Sequence, residues 1–145
     1  MVHVYTIGYM HDDPGYQRFF SYMSFFTFFM LLLVLANNFL QLFFGWEGVG
    51  LVSYLLIGFW FNREGANFGS LNAFIANRVG DFGFILGIAA MPDYSNTLDY
   101  AQVFSQASQI AHQTIQIWPG THWSLMTVIC ILLFMGAMGK SAQMP

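Results

Sequence analysis

Apolar residues fall into long blocks separated by short polar breaks, a pattern that predicts a set of membrane-length helices. The first block covers residues 19–36, eighteen positions or about 27 Å of helix at 1.5 Å per residue, close to the thickness of a hydrocarbon core. Asn37 and Asn38 interrupt it, and a second block runs over residues 39–61 until Asn62, Arg63, Glu64 and Gly65 close it. The third, residues 68–90, carries Asn72, Asn77, Arg78 and Asp81 and is followed by Pro92. Buried polar groups need partners, so this helix is expected to face protein more than lipid. The last block, residues 122–145, begins near His122 and Trp123. Ahead of the first block, residues 2–7 read as the last turns of a helix, and residues 8–18 read as a loop built on His11, Asp12, Asp13, Pro14 and Gly15. Residues 91–121 form a polar extramembrane connection. Within it, residues 100–117 space Val103, Phe104, Ala107, Ile110, Ala111 and Ile115 as a short amphipathic helix on the membrane surface. The expected fold is all-α integral membrane: a bundle of transmembrane helices with three complete spans and a partial first and last. Residues 1–145 are then one membrane domain.

Composition agrees with the pattern. Hydrophobic residues make up 57% of the chain and charged residues only 8%, against about 25% charged in soluble domains. The net charge of −3, with no run of either sign, provides no basic surface and excludes nucleic acid as a partner; the bilayer itself is the expected one. A single cysteine, Cys130, excludes a disulfide framework and a cysteine-based metal site. No Walker loop, dinucleotide fingerprint or nucleophile elbow is present. Residues 1–10 lack the organisation of a signal peptide, and Pro145 follows Lys140 by five positions without a polar exit. The sequence is therefore expected to be a fragment, with the proline kinking the helix close to the lysine. The basic residues outside the apolar blocks, Arg18 and Arg63, lie in loops that an even number of crossings places on one side, expected to be the cytoplasm or the mitochondrial matrix.

Against this background the embedded charges stand out. Of four basic and seven acidic residues, Glu47, Arg78, Asp81 and Lys140 lie inside apolar blocks, where an ionised side chain costs roughly 2.5 to 3.5 kcal/mol near the bilayer centre. Gly45, Gly48 and Gly50 surround Glu47 and clear space for another helix or for water. Burial and a nearby cation act in opposite senses on its carboxyl, so a small movement of that cation loads or releases a proton. The alternative is a structural carboxyl satisfied by Trp46 or backbone donors. Lys140 is the natural partner, because a lysine desolvated in an apolar bundle exchanges protons readily. It could equally snorkel to the interface along its four-carbon stem, and burial physics alone leaves both readings open. Arg78 and Asp81 are three apart on one helical face, either a static pair or a relay element. Gly80, Gly83 and Gly87 form a small-residue stripe suited to a close helix contact. His3, His11, His112 and His122 lie near loops or interfaces and share no metal-ligand spacing.

Three blocks in order carry a resemblance. Residues 44–57, centred on Gly45-Trp46-Glu47-Gly48-Val49-Gly50, residues 77–83, Asn77-Arg78-Val79-Gly80-Asp81-Phe82-Gly83, and residues 139–143, Gly139-Lys140-Ser141-Ala142-Gln143, are similar to the antiporter-like membrane subunits of respiratory NADH-quinone oxidoreductase, complex I. Residues 5–10 and 13–20 resemble them too. The resemblance implies a parent of more than a dozen transmembrane helices, with this chain running from the end of the third through the first half of a broken seventh. It implies that Glu47 and Lys140 form a charge pair whose association and separation move protons, with Arg78 and Asp81 as supporting relay. It implies proton translocation coupled to electron transfer from NADH to quinone, with NADH, FMN, iron–sulfur clusters and quinone held by other subunits and none by this chain. The expected partners are those subunits, protons and a bacterial inner or mitochondrial inner membrane. The same embedded glutamate and lysine occur in multi-subunit Na+/H+ antiporters and membrane-bound hydrogenases. A static bundle in which every embedded charge is fixed is a further alternative.

Overall fold

The computed structural model describes residues 1–141 and 143. Among the described residues seven helices and one hairpin follow in the order α1 (Val2–Tyr9), α2 (Tyr16–Val34), α3 (Phe39–Ile57), α4 (Glu64–Ser95), α5 (Tyr100–Ser105), α6 (Ala107–Ile110), β1 (Thr114–Trp118), β2 (Thr121–Ser124) and α7 (Leu125–Ser141). By length and composition α2, α3 and α4 can each cross a membrane, and α7 is a shorter apolar helix. The proline expected to break the chain after Lys140 lies outside the described residues.

Two compact units emerge. The first comprises Met1–Leu35 and Phe44–Phe74. Its α2 starts earlier than the apolar block, because the Asp13 carboxylate accepts from the Gly15 amide at 2.6 Å and turns the chain at that point. Helix α2 packs on α3 where glycines remove the side chains: a Cβ on Gly45 would lie 2.6 Å from the Leu33 backbone, and one on Gly48 would collide with the Phe29 ring. The expected span to residue 61 stops instead at Ile57. There Phe59 turns inward, 4% exposed, against the edge of Phe19, while Trp60 and Phe61 point outward.

The second unit comprises Ala36–Phe43 and Ile75–Pro145. The asparagine break is a helix cap: Asn38 Oδ1 accepts from the Gln41 amide at 2.7 Å. The adjoining strand-like bridge ties Asn38 to Asp99, itself the N-cap of α5 through bonds from the amides of Ala101 and Gln102. Helix α4 runs past the expected end at residue 90 and takes Pro92 into its last turn. It ends at Ser95, whose hydroxyl donates to the carbonyls of Met91 and Thr97, and the next residue, Asn96, has a left-handed φ of 53°.

The connection departs most from expectation. Of the amphipathic helix expected over residues 100–117, only Tyr100–Ser105 and Ala107–Ile110 are helical, as α5 and α6; Thr114–Trp118 instead forms an antiparallel hairpin with Thr121–Ser124 that pairs Thr114 with Ser124, Ile115 with Trp123 and Trp118 with Thr121. Pro119 and Gly120, at φ 90°, make the turn, the proline–glycine arrangement of a type II turn. Residues 121–124 thus belong to a strand, and the last helix starts at Leu125 instead of near His122. Flanking β-branched and aromatic residues favour the extended state over a continued helix.

Candidate functional site

Helix α4 in the second unit buries one stripe, Gly80, Asp81, Gly83, Phe84, Gly87, Ile88 and Met91, with the three- and four-residue spacing of a single helical face. Its other face leaves Val79, Phe82, Ile85 and Leu86 exposed, apolar and suited to lipid. The glycine stripe meets α7. A Cβ added at Gly80 would lie 3.1 Å from the Gly139 Cα, one at Gly83 3.0 Å from the Met135 Cβ, and one at Gly87 3.2 Å from the Leu132 Cβ. From the other side, a Cβ on Gly139 would lie 3.0 Å from the Gly80 Cα and one on Gly136 2.7 Å from the Phe84 Cβ. The expected close helix contact is this seam.

The seam positions the charges. Lys140, the next residue after Gly139, is partly buried, and Asp81 and Arg78 both act on it electrostatically. Asp81 is 5% exposed, and its Oδ2 stands 3.7 Å from Arg78 Nη1, whose side chain is 39% exposed. That separation is an ion pair rather than a hydrogen bond. A buried carboxylate paired with Arg78 on its own helix is thus also within electrostatic reach of Lys140 on α7. Displacing either cation alters how strongly the carboxylate holds the other, which is the physical requirement of a charge relay. Glu47 lies in the first unit, on α3, partly buried, between the glycines that admit Leu33 and Phe29.

Sequence reasoning missed a second cluster, at the loop end of the first unit. The Trp60 indole donates to Asp13 Oδ2 at 3.0 Å. Arg18 lies 4.8 Å over the Phe59 ring and 5.3 Å from that of Phe61, and its Nη2 donates to the Phe59 carbonyl at 3.2 Å. Arg63 stacks over Trp60 at 5.0 Å. The Trp60 bond, then the Gly15 amide, and Arg18 hold the Asp13 carboxyl below its ordinary range. Asp13 and Trp60 are 47 positions apart, and no local pattern links them.

Among the described residues no group of three or more His, Cys, Asp or Glu side chains could hold a metal ion. His11 pairs with Asp12 on the surface at 3.0 Å, and Cys130 is exposed.

The family model for the transmembrane region of NADH:quinone oxidoreductase and Mrp antiporters matches residues 36–145. The chain belongs to this family. As an antiporter-family member it also matches, over residues 1–20, the model for the N-terminus of complex I chain 5. It is 63% identical, over its whole length, to NADH-quinone oxidoreductase subunit L of Neisseria meningitidis, covering 22% of that protein. Over 99% of its length it is 54% identical to subunit L of Rickettsia bellii and 53% identical to NADH-ubiquinone oxidoreductase chain 5 of Marchantia polymorpha, again covering 22% of each. The chain spans about a fifth of the length of these curated relatives. Glu47, Arg78, Asp81 and Lys140 all lie within the stretch that the antiporter family model matches.

Proposed function

We propose that the chain is part of a proton-translocating membrane subunit of an NADH:quinone oxidoreductase, in a bacterial inner membrane or a mitochondrial inner membrane. The observation that carries this reading is the α4–α7 seam, which sets Lys140 beside a buried Asp81 already shared with Arg78. Lys140 is the proton-exchanging group, Asp81 and Arg78 set how firmly its charge is held, and Glu47 is the acid with which it forms a separable charge pair. When Lys140 turns toward Asp81 its ammonium is retained; when it turns away, its low-dielectric surroundings disfavour the charge and the proton passes to a water molecule in the path, leaving a neutral amine. NADH, FMN, iron–sulfur clusters and quinone belong, in this reading, to partner subunits, and this chain supplies only the movement of protons.

The likeness to complex I chain 5 over residues 1–20 favours the respiratory enzyme over an Mrp-type antiporter, with which the rest of the family is shared. The test is Lys140→Ala in the assembled complex, with proton uptake into inverted vesicles followed by a pH-sensitive dye during NADH oxidation. Translocation should fall at least tenfold, the equivalent of about 1.4 kcal/mol. Unchanged translocation and turnover would refute the assignment.

A further inference from the structure

At the loop end of the first unit, a cavity of about 490 Å³ opens between the turn that precedes α2 and the segment that follows α3. Arg18 and Arg63 line it, together with Pro14, Phe59, Trp60 and Phe61. We infer that this cavity binds the phosphate headgroup of an anionic glycerophospholipid.

The guanidiniums are held in place before any ligand arrives. Arg18 lies against two rings and the Phe59 carbonyl, and Arg63 lies on the Trp60 indole, itself fixed by its bond to Asp13. Stacking occupies the faces of a guanidinium and leaves in-plane N–H groups, for Arg18 those not given to the Phe59 carbonyl, to meet phosphate oxygens. Asp13 is the acid in the lining, and both of its oxygens are engaged, one by the Gly15 amide and one by the Trp60 indole. The lining therefore keeps a positive balance, to which the N-terminus of the nineteen-residue α2 adds. Asp12 and Glu64 are exposed nearby and outside the lining, His11 being paired with Asp12, so they narrow the preference for anions without entering the cavity.

Position selects a lipid over a soluble phosphate. The cavity lies where α2 begins and α3 ends, at the headgroup level of two helices long enough to span a bilayer. Trp60 and Phe61, 40% and 56% exposed, give it an apolar rim of the kind found at membrane interfaces. Basic pockets between membrane helices capture anionic headgroups by this combination of charge and apolar wall.

The test uses the complete protein carrying this chain, purified with its partner subunits, stripped of lipid, and titrated with phosphatidylglycerol, phosphatidylcholine or glycerol phosphate under native mass spectrometry. Phosphatidylglycerol should bind the wild type more tightly than phosphatidylcholine does, and Arg63→Gln should weaken it about fivefold. Arg63 is exposed, so this variant avoids the packing that Arg18 makes with Phe59. Equal affinity in wild type and Arg63→Gln would overturn the inference. So would competition by glycerol phosphate as strong as by the lipid, or a neighbouring polypeptide's side chain filling the cavity in the assembled complex.

Discussion

Replacing Gly136 by alanine tests the α4–α7 seam directly. The added Cβ would stand 2.7 Å from both the Cβ and a ring carbon of Phe84. Carbon atoms rest about 3.5 to 4.0 Å apart, so the contact is short by roughly 1 Å. Rotating the Phe84 ring cannot relieve it, because the Phe84 Cβ is fixed to the α4 backbone; the helices themselves must separate. Overpacking of this kind costs about 1 to 3 kcal/mol. Alanine returns about 0.5 to 1 kcal/mol in a helix interior, which leaves a net loss of up to about 2.5 kcal/mol. Gly69→Ala is the control. Its Cβ would meet only Ile57 Cγ2 at 3.9 Å, ordinary contact, so the same substitution should stabilise by about 0.5 to 1 kcal/mol. Denaturation of the complete protein in detergent, followed by far-ultraviolet circular dichroism, reads both. If Lys140 exchanges protons as proposed, translocation in the folded Gly136→Ala protein should also drop, because a wider seam draws Lys140 away from Asp81. If Gly136→Ala is as stable as Gly69→Ala, the seam is not packed as described and the placement of Lys140 falls with it.

Two further outcomes are expected. Gly120→Ala puts a side chain at φ 90° and should loosen the hairpin by about 1 to 2 kcal/mol, seen as faster hydrogen exchange at Trp118 and Thr121; unchanged exchange would contradict the turn. The Asp13 carboxyl is held below its ordinary value of 3.8, so its contribution to the loop is present above that value and is lost as pH falls below it through the folded value. Trp60→Phe removes the largest cause and should move the carboxyl back toward 3.8, as read by carboxyl NMR of labelled aspartate; an unmoved titration would mean that Trp60 is not its main partner.

The long helices were legible because apolar blocks of membrane length have few other solutions, and the glycine stripe announced the seam because no other residue permits backbones so close. The ends were less legible. Phe59 is as apolar as the helix before it, and only tertiary packing turns it inward and stops α3 at Ile57. The hairpin carried its own signal, Pro119-Gly120 between β-branched and aromatic residues, but the apolar spacing that runs through Ile110 and Ile115 also fits a helix. Lys140, Asp81 and Arg78 were conspicuous as charges in apolar surroundings. The loop cluster was not, because Arg18 and Arg63 look like ordinary solvated residues until the fold lays them on aromatic rings.

No linker separates the hairpin from the helix that bears Lys140: β2 ends at Ser124 and α7 begins at Leu125. Leu125 is 1% exposed, and its amide donates to the Gln113 carbonyl on the far side of the hairpin, at 3.0 Å. The helix is in effect a rod clamped at one end, with Lys140 about 22 Å along it. A tilt of roughly 5° at the clamp would swing the lysine by about 2 Å over that length, more than half the 3.7 Å that separates Arg78 from Asp81. Whatever grips the hairpin therefore holds a lever whose far end is Lys140, the residue proposed to exchange protons.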